Sequence, residues 1–199
     1  MLSVTEARDR ILQAFSPVDS QRVPLDRAAG RVLAADITAR TDLPLFDNSS
    51  VDGFALPAAD LASLHTLKVI ADIRAGEYIQ TPILPGQSAR VMTGAPLPPG
   101  TGAVVMVEDT DFSSRGHDTP APGMVTAQKA IEAGSNIRRR GDDLRAGDKV
   151  LSAGMRLRAQ EIGLLAMLGE ALPLVYRKPR LALLSSGDEL LPVEHRSSP

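Results

Sequence analysis

Glycine and proline punctuate this chain 16 and 15 times in 199 residues. That is about one position in six, and it dictates many turns and short strands. The core must also be aliphatic, because the chain has no Trp, four Phe and two Tyr. It has no Cys either, which excludes a disulfide framework, a cysteine zinc site and a cysteine nucleophile. With 22 Lys+Arg against 24 Asp+Glu the net charge is −2. No chain-wide basic field exists to hold nucleic acid, and six aromatic rings build no stacking platform for single strands. The length allows one large domain or two small ones.

No segment targets or spans a membrane. The N-terminus is already charged at Glu6, Arg8, Asp9 and Arg10, unlike a signal peptide. The longest apolar stretch, Ile162–Leu168, is far short of the roughly 20 residues of a spanning helix. The expectation is a cytoplasmic protein.

Ser3 with Glu6 forms a capping box, in which a side-chain oxygen takes a free N–H and a carboxylate answers three residues later. Val4, Ala7, Ile11 and Ala14 or Phe15 recur behind it at helical spacing. A second helix is predicted over Ala159–Gly169, with Ile162, Leu165, Ala166 and Leu168 as its apolar face and Gly169 at the C-cap. Between them, TLKVIADI, SARVMTG, GAVVMVED and MVTAQKA are short, β-branched or alternating, and bounded by Gly and Pro. They predict a small antiparallel sheet or barrel. LPLVY (172–176) predicts a further strand. LALL (Leu181–Leu184) resembles a strand buried on both faces, for which a parallel partner needs a dozen or more residues. Only 15 follow Leu184, so the chain is expected to stop at the start of another domain; an ordinary edge strand is the alternative.

Four polar constellations interrupt this framework. PLFDNSSVDGFA sets Asp47 and Asp52 around Asn48 and two serines. Such a loop can hold Mg²⁺ or a polar ligand, and the same residues also make capped turns. In RVMTGAP, Thr93 follows a strand and offers a hydroxyl, while Gly94 permits close backbone approach. In NIRRRGDDL, Arg138, Arg139 and Arg140 can grip phosphates; Asp142 and Asp143 can bind a metal or take a proton, and the run can equally be a solvated face. In LALLSSGDEL, Ser185, Ser186 and Gly187 form a turn, with Asp188 and Glu189 at the carboxyl end of the expected strand, where α/β sheets bind ligands. His65, His117 and His195 share no ligand spacing, and neither a zinc site nor a catalytic triad is legible.

In order and wording these segments closely resemble the MoeA-type molybdopterin molybdenumtransferases, the molybdenum insertases that include the C-terminal domain of gephyrin. The matching pieces are Leu43–Ala55, Arg90–Thr110, Gly134–Leu157, Ile162–Gly169 and Arg180–Leu190. The resemblance implies a mixed α/β and β architecture. An elongated α/β linker domain would come from both ends of the chain (1–45 and 134–177), a β-barrel-like domain (46–133) would be inserted, and 178–199 would begin a molybdopterin-binding α/β domain. It implies an elongated homodimer that receives adenylated molybdopterin from a molybdopterin-adenylating protein. Molybdate would be inserted at the dithiolene and AMP released, with Mg²⁺ assisting.

Carried over by motif, Asp52, Asp143 and Glu189 are the catalytic positions, with Asp52 and Asp143 as metal or substrate carboxylates. Thr93, Asn48, Arg138, Arg140 and Ser186 bind substrate. The departures are Val51 and Phe54 in the first motif, Asp142 before Asp143, and Ser186 where Thr is common. The family's later pterin-binding segments and fourth domain do not follow Pro199, so this chain alone is expected to be inactive. A second reading of the same residues is a non-catalytic dimerisation or scaffold module, in which the carboxylates are turn residues.

Overall fold

The computed structural model describes residues 2–62, 66–112 and 119–191; His65, His117 and His195 lie outside them. Contacts divide the chain into two compact units, Met1–Ile37 with Leu151–Pro199, and Thr38–Val150. These boundaries differ from the expected 45/46 and 133/134. The reason is hydrogen bonding within the second unit: Ala39 N–H donates to the Asp148 carbonyl at 2.9 Å and Leu43 N–H to that of Leu144 at 2.8 Å. The Arg-rich segment and the stretch before Asp47 therefore belong with the inserted unit.

The first unit opens with α1 (Val4–Gln13). Glu6 N–H donates to Ser3 Oγ at 3.2 Å and Ser3 N–H to the Glu6 carboxylate at 2.8 Å, completing the capping box. No residue of α1 is buried, so its apolar stripe faces outward. Strand β1 (Ser20–Arg22) is followed by β2 (Ile37–Thr38), in which the chain passes into the second unit. On its return it forms α2 (Ala159–Met167) and β11 (Leu174–Tyr176), and β11 pairs antiparallel with β1. Val23, Ala28, Leu33, Leu157, Leu165 and Val175 are buried here.

Helix α2 ends in a Schellman motif. Glu170 N–H reaches the Leu165 carbonyl (2.9 Å) and Gly169 N–H that of Ala166 (3.1 Å), with Gly169 at φ +70°. The expected apolar face needs one correction. Leu165 is fully buried, but Ala166 is exposed and Glu161 is buried in its place. Glu161 reaches back to the Arg158 N–H (2.8 Å) and guanidinium (2.7 Å).

That arrangement makes a pH prediction. The Arg158 hydrogen bonds lower the Glu161 pKa from 4.5 to about 2. A carboxyl depressed in the folded state stabilises it above its unfolded pKa and loses that contribution as pH falls through the folded value. The stability advantage of wild type over Glu161→Gln should therefore be full near pH 6 and shrink as pH falls from 4.5 toward 2. Urea unfolding across that range measures it; a pH-independent difference would show that the ion pair does not set it.

The second unit is built on a five-stranded curled sheet of order β7-β4-β6-β5-β8. Its strands are β4 (Gly53–Pro57), β5 (Thr66–Ile73), β6 (Gln87–Val91), β7 (Thr101–Met106) and β8 (Met124–Thr126). The expected antiparallel sheet is in fact mixed, because β5 and β6 pair in parallel. The 13 residues from 74 to 86 between them supply the crossover that a parallel pair requires. Edge strands β7 and β8 do not pair with each other, so the sheet is a half-barrel rather than a closed barrel. Strand β4 is interior, between β7 and β6, and entirely buried. Phe54 and Leu56 face one apolar cluster with Leu67, Val105 and Val125, and Ala55 faces another with Ile73, Val91 and Val104, as alternation along a strand demands.

Leu181–Leu184 form no strand. The three leucines are exposed, Leu183 at 95%. A strand buried on both faces needs neighbours, and none of the described strands pairs with this stretch.

Candidate functional site

Strand register brings the first two polar constellations together. Gly53 opposes Val91 of β6 on one side and Met106 of β7 on the other. Asp52, just ahead of β4, therefore sits beside Thr93, just past β6, and beside the residues that leave β7. Asp52 Oδ1 accepts hydrogen bonds from Thr93 N–H at 2.8 Å and Thr93 Oγ–H at 2.7 Å. The Asp52 carbonyl accepts from Val107 N–H at 3.1 Å. Gly53 has no alternative: a Cβ there would lie 2.0 Å from the Val105 carbonyl oxygen. Gly94 turns the chain at φ +79° and donates to the Ser49 carbonyl at 2.8 Å. A hollow of about 270 Å³ opens at this end of the sheet, lined by Ser50, Val51, Asp52, Thr93, Met106 and Glu108. Sequence reasoning missed Glu108. Its signal was the acid directly after GAVVMV, at the same sheet end as the Thr after RVM.

Short strand β3 (Asn48–Ser49) joins this end to the Arg-rich loop. On one side Ser49 N–H donates to the Ala95 carbonyl (3.1 Å) and Leu97 N–H to that of Asp47 (3.0 Å). On the other, β3 pairs antiparallel with β9 (Ile137–Arg138). Three motifs far apart in sequence thus lie edge to edge. The chain then returns toward the first unit through β10 (Lys149–Leu151).

Each loop arginine meets its own aspartate. Arg138 bonds Asp143 Oδ2 at 2.5 Å, Arg139 bonds Asp47 Oδ2 at 2.7 Å, and Arg140 Nε bonds Asp42 Oδ2 at 2.6 Å. Arg138 and Arg140, expected as substrate groups, are therefore engaged within the chain. Exposed pairs of this kind are worth little, so an incoming phosphate can compete for them. Burial raises the Asp47 pKa, but hydrogen bonds from Arg140 N–H and the Arg139 guanidinium outweigh it and leave a net lowering. The Ala146 N–H, then the Arg140 side chain, lowers Asp42. Asp142 caps its own turn by accepting Arg139 N–H at 2.6 Å.

Asn48 lies largely buried in β3. It is 5% exposed, its Nδ2 donates to the Phe46 carbonyl at 3.4 Å, and its Oδ1 is buried without a hydrogen-bond partner. It supports β3 from within rather than presenting an amide to solvent. Ser186 and Glu189 lie in the first unit, exposed, in a stretch whose ordering contact is Leu190 N–H to the Gly187 carbonyl at 3.2 Å.

Among the described residues no three His, Cys, Asp or Glu side chains gather to hold a metal. Asp143 is tied to Arg138 and does not line the hollow of Asp52 and Thr93.

Residues 2–169 match the family described as MoeA N-terminal region (domain I and II). The chain belongs to this MoeA family. It is 36% identical over 194 residues to the molybdopterin molybdenumtransferase of Haemophilus influenzae, covering 97% of this chain and 46% of that protein. It is 38% identical over 202 residues to the molybdopterin molybdenumtransferase of Synechococcus elongatus, covering 96% and 48%. Among solved structures it is similar to a molybdopterin biosynthesis MoeA protein from Pyrococcus horikoshii, with a TM-score of 0.79, 31% identity, and coverage of 90% of this chain and 47% of that one. The chain spans about half the length of the MoeA relatives it matches. No helix among its described residues is long and apolar enough to cross a membrane.

Proposed function

We propose that this chain is the N-terminal part of a molybdopterin molybdenumtransferase acting in molybdenum cofactor biosynthesis. The reaction is insertion of molybdate into adenylated molybdopterin with release of AMP. The observation that carries the reading is the convergence on β3 of the three polar motifs, with Asp52 clamping Thr93 at the end of the sheet. Folding alone does not require a carboxylate, a hydroxyl and a second carboxylate, Glu108, around one hollow. In this reading Asp52 and Asp143 act on the substrate as fixed carboxylates, Thr93 donates or accepts at a substrate oxygen, and the exchangeable Arg138 and Arg140 pairs meet phosphate. Glu189 and Ser186 serve the pterin side. The protein acts in the cytoplasm as a homodimer, with a molybdopterin-adenylating protein as upstream donor.

A chimera tests this. Residues 1–169 of this chain are joined to the remaining part of the Haemophilus influenzae relative and assayed for molybdenum insertion. The chimera should be active where residues 1–169 alone are not. A chimera that folds, by circular dichroism, yet transfers no molybdenum would sink the proposal and favour the scaffold reading.

A further inference from the structure

Arg31, in the first unit, is a buried cation with no counter-charge. It is 9% exposed. Its Nη2 donates to the Tyr176 carbonyl at 2.6 Å, and among the described residues no carboxylate pairs with it. One hydrogen bond leaves most of the five guanidinium donors uncommitted. A charge taken out of water without a partner is costly, and here the fold holds it rigidly, because Tyr176 N–H is itself bonded to the Val32 carbonyl at 2.9 Å.

The guanidinium faces a hollow of about 710 Å³. The β1–β11 pair shapes it: the chain leading into β1 and the chain leaving β11 stay joined by Arg177 N–H donating to the Asp19 carbonyl at 2.8 Å. Arg177, Lys178 and Arg180 line it with Arg31, against a single acid, Asp19. Four cations beside one carboxylate stand out in a chain whose net charge is −2. Val18 and Pro179 add apolar wall, and the volume lies in the range of small-molecule pockets rather than of a lone ion site.

We infer that this hollow binds a phosphorylated small molecule, its phosphate held by Arg31 and the Arg177–Arg180 segment and its organic part lying on Val18 and Pro179. Phosphate fits because a guanidinium fork engages two of its oxygens at once and because several cations converge there. The inference does not depend on the molybdenumtransferase reading, since none of these residues belongs to the half-barrel site.

The test is titration calorimetry on the full 199-residue chain at fixed ionic strength, with inorganic pyrophosphate and ribose 5-phosphate as probes. Both should saturate at one site per chain. Arg31→Gln should weaken each by about tenfold or more, as expected for a lost charge-assisted contact. Arg177→Gln with Lys178→Gln, both away from the core, should weaken them by about three- to tenfold. Absence of saturable binding would overturn the inference, as would binding that the Arg177/Lys178 double variant leaves unchanged. If Arg31→Gln does not fold, the double variant alone decides.

Discussion

Phe54→Ala should cost about 3–5 kcal/mol of unfolding free energy. Phe54 is fully buried at the centre of the half-barrel, on the strand that pairs with both β6 and β7. Its ring meets Phe112 edge to face, with centroids 5.9 Å apart and planes at 88°. Arg90, itself 2% exposed, stands 5.4 Å over the Phe112 ring. A chain with four Phe and no Trp has few large groups to fill the void, and strands fixed on both sides cannot close around it. Urea unfolding followed by circular dichroism measures the loss. Phe112→Leu, at the margin of the same cluster, should cost distinctly less. A cost below about 1.5 kcal/mol for Phe54→Ala would contradict burial of this face of β4.

Strand β4 also shows where the sequence was opaque. Expectation made residues 44–55 a loop, yet the last three of them open the interior strand β4 (Gly53–Pro57). Asp52–Gly53 at its head is turn chemistry, and Pro57 at its foot denies a strand interior. Both are resolved by register. Gly53 is required where the Val105 carbonyl leaves no room for a Cβ, and Pro57 sits at the irregularity between Leu56 and Pro57 in the pairing with β7, where proline is tolerated. Burial on both faces removes the alternation that exposes half-buried strands. Local rules worked where the physics is local, at the Ser3–Glu6 box, the Gly169 cap and the β5 stretch. They failed where the outcome depends on a distant partner. The parallel β5–β6 pair is set by a crossover. The unit boundaries are set by Ala39 and Leu43 bonding to residues about a hundred positions away. At the site, Asp52 and Thr93 were legible as polar residues at a strand's end, but their contact was not. Glu108 was missed for the same reason, since only the order β7-β4-β6 puts it beside them. Arg139 and Arg140 read as phosphate grips because their partners, Asp47 and Asp42, lie more than ninety residues earlier, whereas the partner of Arg138, Asp143, is only five residues away.

Asp52→Asn in the active chimera should lower kcat by about a hundredfold or more, the scale of losing a catalytic charge or proton acceptor, while stability changes by no more than about 1 kcal/mol. The two properties separate because of how Asp52 is held. Both hydrogen bonds from Thr93 end on Oδ1, at 2.8 Å and 2.7 Å, and an asparagine keeps an oxygen acceptor at that position. The substitution therefore removes the charge and leaves the clamp. Asp52→Ala removes both, and Thr93→Val removes the hydroxyl donor alone. If the carboxylate acts on substrate, Asn and Ala should be comparably inactive, and Thr93→Val should add little further loss on top of either, because the two groups act as one unit. If Asp52 is only a turn clamp, Asn should retain near-full activity and Ala alone should lose it. Calorimetric stability of each variant, read beside its kcat, separates these outcomes, since a clamp lost in Ala but kept in Asn would move both quantities together.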